Sequence, residues 1–193
     1  MIKTTAMILD ELKDFSSPAD KLARLVKRKE YIPIVRGLYE TERTTPGYLL
    51  AESIYGPSYL SFEFALSYHG LIPEAVYTYT SATFKKRKRK TYSTPFGTYT
   101  YRDIPESVYP YGVQIVKENN YSYKIASPEK ALCDQLYKTS PLSNYKDMQA
   151  HLFENLRIDK QDLETLNQED IRDLSKKYGS TNVKRLYELI KRL

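Results

Sequence analysis

VYTYTSATFKKRKRKTYSTPFGTYTY, residues Val76 to Tyr101, is the stretch on which the fold turns. Val76-Tyr77-Thr78-Tyr79-Thr80 and Thr98-Tyr99-Thr100-Tyr101 alternate strictly. A period of two is that of a half-buried strand, and tyrosine and threonine suit a pleated face. Thr91-Tyr92 returns between them and Thr94-Pro95-Phe96-Gly97 turns the chain again. The chain has 19 tyrosines and no tryptophan. Most of those rings are expected to pack on a sheet with their hydroxyls reaching water or a partner. A second hairpin is expected at Val113 to Val116 and Tyr121 to Ile125, joined through Glu118-Asn119-Asn120, so the sheet is expected to be antiparallel.

Between the two alternating runs stand six consecutive cations: Lys85, Lys86, Arg87, Lys88, Arg89 and Lys90. They carry the whole net charge. Of 30 Lys and Arg against 24 Asp and Glu, the remaining cations equal the acids. Like charges at this density repel one another, and a phosphate-rich partner relieves the repulsion while releasing its own counterions. A solvated loop tip would satisfy the same charges without a partner.

Upstream, the first 45 residues are expected to form a small unit of two helices and a hairpin. Thr4 to Asp14 places Met7, Ile8, Leu12 and Phe15 on one helical face. Ser17-Pro18-Ala19-Asp20 is a helix start, with Ser17 as N-cap and Pro18 in the first turn. Leu22, Leu25 and Val26 then face inward, and Lys21, Arg24, Lys27 and Arg28 fall on the opposite side. Tyr31 to Arg36, the Gly37 turn and Leu38-Tyr39-Glu40 make a wing. Helix, helix and wing is the order of a reduced winged helix, whose outward cations suit a phosphate backbone or a major groove. A solvent-facing amphipathic helix capping the larger domain is the plainer alternative.

Thr44-Thr45-Pro46-Gly47 is the expected junction with a second domain, 46–193. Within it, Tyr48 to Ile54 reads as a short helix stopped by Gly56-Pro57. Ser61 is expected to cap a helix over Phe62 to His69, ended by Gly70 in a left-handed conformation. Ser127-Pro128-Glu129 opens a helix that buries Ala131, Leu132 and Leu136. Residues 141–193 are expected to be a helical tail. The fold class is therefore α+β: a winged-helix-like unit, a mixed domain with a Tyr-rich antiparallel sheet, and terminal helices.

Chemistry is sparse. Cys133 is alone, which excludes an internal disulfide and a Cys-based zinc cluster. His69 and His151 are the only histidines. No phosphate loop, H-E-x-x-H or G-x-S-x-G is present. The expectation is a chain without enzymatic activity, cofactor or metal. With no apolar run of about 18 residues and no h-region behind Met1-Ile2-Lys3, no membrane span or secretion signal is expected either, which points to the cytoplasm.

Three phrases carry a family likeness: Tyr59-Leu60-Ser61-Phe62-Glu63-Phe64-Ala65-Leu66-Ser67-Tyr68-His69-Gly70-Leu71-Ile72-Pro73-Glu74; Thr94-Pro95-Phe96-Gly97 with Tyr101-Arg102; and Ala126-Ser127-Pro128-Glu129-Lys130-Ala131-Leu132-Cys133-Asp134. Behind an N-terminal unit ending Arg36-Gly37-Leu38-Tyr39, they resemble the abortive-infection AbiE antitoxins, over roughly residues 17 to 140. The resemblance implies a winged helix-turn-helix that binds inverted repeats in its own promoter. It also implies a C-terminal domain that suppresses a nucleotidyltransferase toxin, a type IV scheme that requires no stable complex. On that reading Lys21, Arg24, Lys27, Arg28 and Arg36 contact DNA. Lys85 to Lys90 either extend the DNA footprint or form the suppression surface. The alternative function is a protein-interaction module that neutralises a partner enzyme directly and barely touches DNA.

Overall fold

The computed structural model describes residues 1–192. At the N-terminus β1 (Ile2–Thr4) leads into α1 (Thr5–Glu11), α2 (Pro18–Lys27) and the hairpin β2 (Ile32–Val35) and β3 (Leu38–Glu40). β1 pairs with the far side of β3, giving an antiparallel sheet in the order β1-β3-β2. The strand is unexpected; it precedes the first helix, whose expected start, Thr4, is its N-cap. At three residues β1 is too short to show a period. Ile8, Leu12, Leu22 and Leu25 close a small core of their own between the helices. Met7 and Phe15, expected on the inner face of α1, stand about half exposed instead. α1 ends at Glu11, so Phe15 lies beyond the helix. Ser17 also departs from expectation: its hydroxyl donates to Asp20 Oδ2 at 2.7 Å and does not cap α2.

The wing sheet is held between two cores. Ile34 belongs to the main core, and Ile2, Val35 and Leu38 pack against it. Glu40, fully buried, pins the junction by accepting from Tyr121 Oη at 2.8 Å, from the backbone N–H groups of Thr41 and Glu42, and from the amino group of Met1. Burial pushes its carboxyl up, but those hydrogen bonds outweigh burial and hold it below the usual range.

A single 3-10 turn (Gly47–Leu50) and α3 (Ala51–Ile54) lead to β4 (Tyr59–Leu60) and α4 (Phe62–Tyr68). Then follow β5 (Thr78–Thr83), β6 (Lys90–Thr94), β7 (Gly97–Asp103), β8 (Val113–Glu118) and β9 (Tyr121–Ala126). These six strands form one sheet in the order β6-β7-β5-β4-β9-β8. The expected antiparallel sheet is in fact mixed. β5 runs parallel to β7 and β4 parallel to β9. The cause is that β5 does not return directly on itself: the basic loop carries the chain past one strand position to the edge, and β7 then inserts between β6 and β5. β4, only two residues long, joins the two halves of the sheet.

α5 (Pro128–Lys138) lies against α4, and Ser127 caps it by accepting from Lys130 N at 3.2 Å. Ser61 does not cap α4, because its hydroxyl donates to Asp134 Oδ2 at 2.7 Å. α6 (Tyr145–Gln149), a π-helical segment (Ala150–Asn155), α7 (Lys160–Glu164), α8 (Gln168–Tyr178) and α9 (Thr181–Ile190) complete the chain. Ile171, Leu174, Tyr178, Val183, Leu186 and Ile190 are buried in the main core, so these helices are an integral wall. Gly179, at φ +61°, makes the left-handed break between α8 and α9.

Candidate nucleic-acid interface

α2 buries Leu22 and Leu25 against α1, which by the 3.6-residue period turns Arg24, Lys27 and Arg28 outward. All three are exposed. None forms an ion pair among the described residues. Lys21 behaves differently: it is half-buried, with Nζ 4.7 Å from the Phe15 ring centroid. It lies over the turn between α1 and α2, and its stem covers the exposed ring. Arg36 is at the tip of the wing, exposed, beside Gly37 at φ +83°. The Gly37 carbonyl accepts from Thr5 N at 3.0 Å, so the wing is tied to the start of α1. One cation absent from the sequence reading joins this surface: Lys29, exposed with φ +61°, just past the C-terminal end of α2. Its place follows from the helix stop, which the sequence does not mark with glycine.

The basic run is a loop across the C-terminal ends of β5 and β7, and Lys90 opens edge strand β6. It is a built turn. Lys85 and Arg87 adopt left-handed backbone, at φ 55° and 62°, which costs a non-glycine residue about 1–2 kcal/mol. Asp103 holds that conformation, accepting from the Thr83 hydroxyl at 2.6 Å and from the backbone N–H of Arg87. Lys85 pairs with Glu106 at 2.7 Å, and Lys86 sits 5.0 Å from the Tyr55 ring centroid. Arg87, Lys88, Arg89 and Lys90 have no carboxylate partner among the described residues. Acidic neighbours therefore engage one of the six side chains directly, and most of the positive field remains.

Removing the anchor gives a first prediction. Asp103→Ala deletes a charged hydrogen bond to the loop backbone, an interaction of about 1.5–3 kcal/mol. Trypsin is expected to cut within residues 85–90 about tenfold faster or more. An unchanged cleavage rate would mean that Asp103 does not hold the loop.

The α2 surface and the loop are not adjacent. The β6–β7 turn, Pro95-Phe96, lies beside Val26 and Ile32 of the N-terminal unit, and the basic loop is at the other end of the same hairpin. Roughly 13 Å of strand separates the two.

Cys133 is fully buried, and burial pushes its thiol well up from the ordinary value. His69 Nε2 is 2.7 Å from the Ala126 carbonyl, and burial pulls His151 down. Among the described residues no three His, Cys, Asp or Glu side chains gather as a metal site would need. No helix there is long and apolar enough to cross a membrane.

No family model and no curated protein matches this chain.

Proposed function

We propose that this chain is the antitoxin half of a type IV toxin–antitoxin pair: a repressor of its own promoter that also suppresses a nucleotidyltransferase toxin. The observation that carries the DNA-binding part is the N-terminal unit. Two helices and a hairpin, closed by β1 in the order β1-β3-β2, present Arg24, Lys27, Arg28 and Arg36 outward, without ion-pair partners among the described residues. In a winged helix the second helix of the pair enters the major groove and the wing tip meets the flanking backbone. Phosphate contacts would supply most of the affinity, and base contacts about 1–3 kcal/mol of discrimination each. The toxin-suppressing part rests on the likeness of residues 17 to 140 to the AbiE antitoxins.

The test is a fluorescence-anisotropy titration against duplex DNA from upstream of the chain's own gene, over a range of salt. Each lost phosphate contact lowers the salt slope by about 0.9 on B-DNA. Arg24→Ala combined with Arg28→Ala is expected to lower it by about 1.8 and to weaken binding. An unchanged slope would remove α2 from the DNA.

One observation favours a second reading, in which the chain acts on a partner enzyme directly. The basic loop stands a strand's length away from the wing unit, free to serve a different partner. Replacing Arg87, Lys88, Arg89 and Lys90 by alanine separates the readings. If the loop lies in the footprint, the slope falls by about 3.6. If DNA binding is untouched while co-purification with a neighbouring nucleotidyltransferase is lost, the loop is a protein-contact surface.

A further inference from the structure

The loop cations are only one wall of a cavity. Arg87, Lys88 and Arg89 line, with Arg102 and Asp103 of β7 and Lys138 at the end of α5, a space of about 470 Å³. Three elements distant in sequence thus bring five cations and one carboxylate together. That volume lies within the usual range for small-ligand sites, about 300–1,000 Å³.

The nearby carboxylates are already engaged. Asp103 takes the Thr83 hydroxyl on one oxygen and the Arg87 backbone N–H on the other. Glu63 holds Arg102 in a bidentate pair at 2.8–3.0 Å, and Glu106 holds Lys85 at 2.7 Å. Arg102 is further fixed over the Phe62 ring at 4.7 Å, so its guanidinium is placed before any ligand arrives. Arg87, Lys88, Arg89 and Lys138 are left without a carboxylate among the described residues. Asp103 offsets one of these four cations, its two donors being neutral, and the remaining excess of positive charge around one concavity raises its potential, which a compact multivalent anion relieves.

We propose that this cavity binds a free oligophosphate, the triphosphate chain of a nucleotide or its inorganic equivalent. The phosphates would lie between the loop arginines and Lys138, with Arg87 and Arg89 forking their oxygens and Lys138 acting as a point charge. Among the described residues, no aromatic or apolar side chain lines the cavity. Recognition is therefore of the phosphate chain, and a nucleoside attached to it adds little. This site is separate from the α2 surface and stands or falls independently of promoter binding.

Isothermal titration of the full chain with inorganic tripolyphosphate, ATP and orthophosphate tests this. Tripolyphosphate and ATP are expected to saturate one site with affinities within about threefold of each other, with orthophosphate at least tenfold weaker. Lys138→Ala, an exposed side chain at a helix end, is expected to weaken tripolyphosphate about tenfold or more while leaving the melting temperature and the anisotropy titration with promoter DNA unchanged. Absence of saturable tripolyphosphate binding, or binding that Lys138→Ala does not weaken, overturns the proposal. So does ATP binding far more tightly than tripolyphosphate, which would require a site for the base. A Lys138→Ala variant that loses DNA affinity instead would assign the cavity to the duplex footprint and also overturn it.

Discussion

Lys130→Met is expected to destabilise the chain by about 3–5 kcal/mol, the usual consequence of removing one partner from a buried ion pair. For a chain of this size that lowers the melting temperature by roughly 10–15 °C. Lys130 and Asp134 are both fully buried, one helical turn apart on α5, with Nζ 3.2 Å from Oδ1. Asp134 also accepts from Tyr59 Oη at 2.9 Å, Ser61 Oγ at 2.7 Å and the Tyr178 hydroxyl. One carboxylate thus ties together β4, α5 and α8. Without the ammonium its charge faces three hydroxyls and no counterion.

Adding Asp134→Leu is not expected to recover the loss: it removes the orphan charge but leaves the Tyr59, Ser61 and Tyr178 hydroxyls buried without their acceptor, at about 1–3 kcal/mol each. Urea denaturation of both variants reads the effect. A single-variant loss below about 1 kcal/mol would show that the pair does not hold α8 to the sheet. The pH dependence gives a second readout. Burial pulls Lys130 below its ordinary 10.5, with the Asp134 carboxylate pushing back. Between the folded value and 10.5 the unfolded chain binds the proton that the folded chain has released. Stability contributed by this group therefore rises with pH across that window, and the rise is absent in Lys130→Met.

Above pH 10 a larger effect of opposite sign takes over. Tyr59, Tyr99, Tyr101 and Tyr178 are buried, and burial pushes the phenol of each well above its ordinary 10.0. Tyr99 donates to the Gly47 carbonyl at 2.9 Å and Tyr101 to the Ala51 carbonyl at 2.6 Å. A phenolate at either place would lose its donor and face a carbonyl oxygen. Tyr48, whose hydroxyl meets Glu118, and Tyr109 are pushed up to about 12.

The folded chain keeps these protons while the unfolded chain releases them, so the stability they confer is complete below pH 10 and is lost as pH rises. Four groups give a slope of about 5–6 kcal/mol per pH unit, against a total stability of about 5–15 kcal/mol for a domain. Tyrosinate absorbance and circular dichroism, followed together, are expected to change in one cooperative step near pH 11. Gradual ionisation of all 19 tyrosines with the dichroism unchanged would contradict this. Tyr99→Phe and Tyr101→Phe are expected to shift the step upward by removing ionisable groups.

Much of this molecule was legible because it is local. The alternation of Thr98 to Tyr101 marked β7, Ser127-Pro128 marked the start of α5, and Gly70 marked a left-handed helix end. The outward cations of α2 followed from the helical period once Leu22 and Leu25 were taken as inner. Where a side chain had two partners to choose from, local reasoning failed. Ser17 and Ser61 both resemble caps, yet one hydroxyl turned to Asp20 and the other to Asp134, 73 positions away.

By itself, then, the sequence determined most of the helices, the inward face of α2, strand β7, the β8–β9 hairpin and the position of the basic run, since each depends on residues within a turn or two of one another. The strand expected at Val76 to Thr80 lies instead at Thr78–Thr83, with Tyr77 exposed. Tertiary structure alone decided the parallel pairings of the sheet, the central place of the two-residue β4, the burial of Lys130 with Asp134, and the meeting of Arg102 and Lys138 with the basic loop. Those depend on which distant segments lie side by side. A two-residue strand has no period, and a charge buried or exposed is written with the same letter.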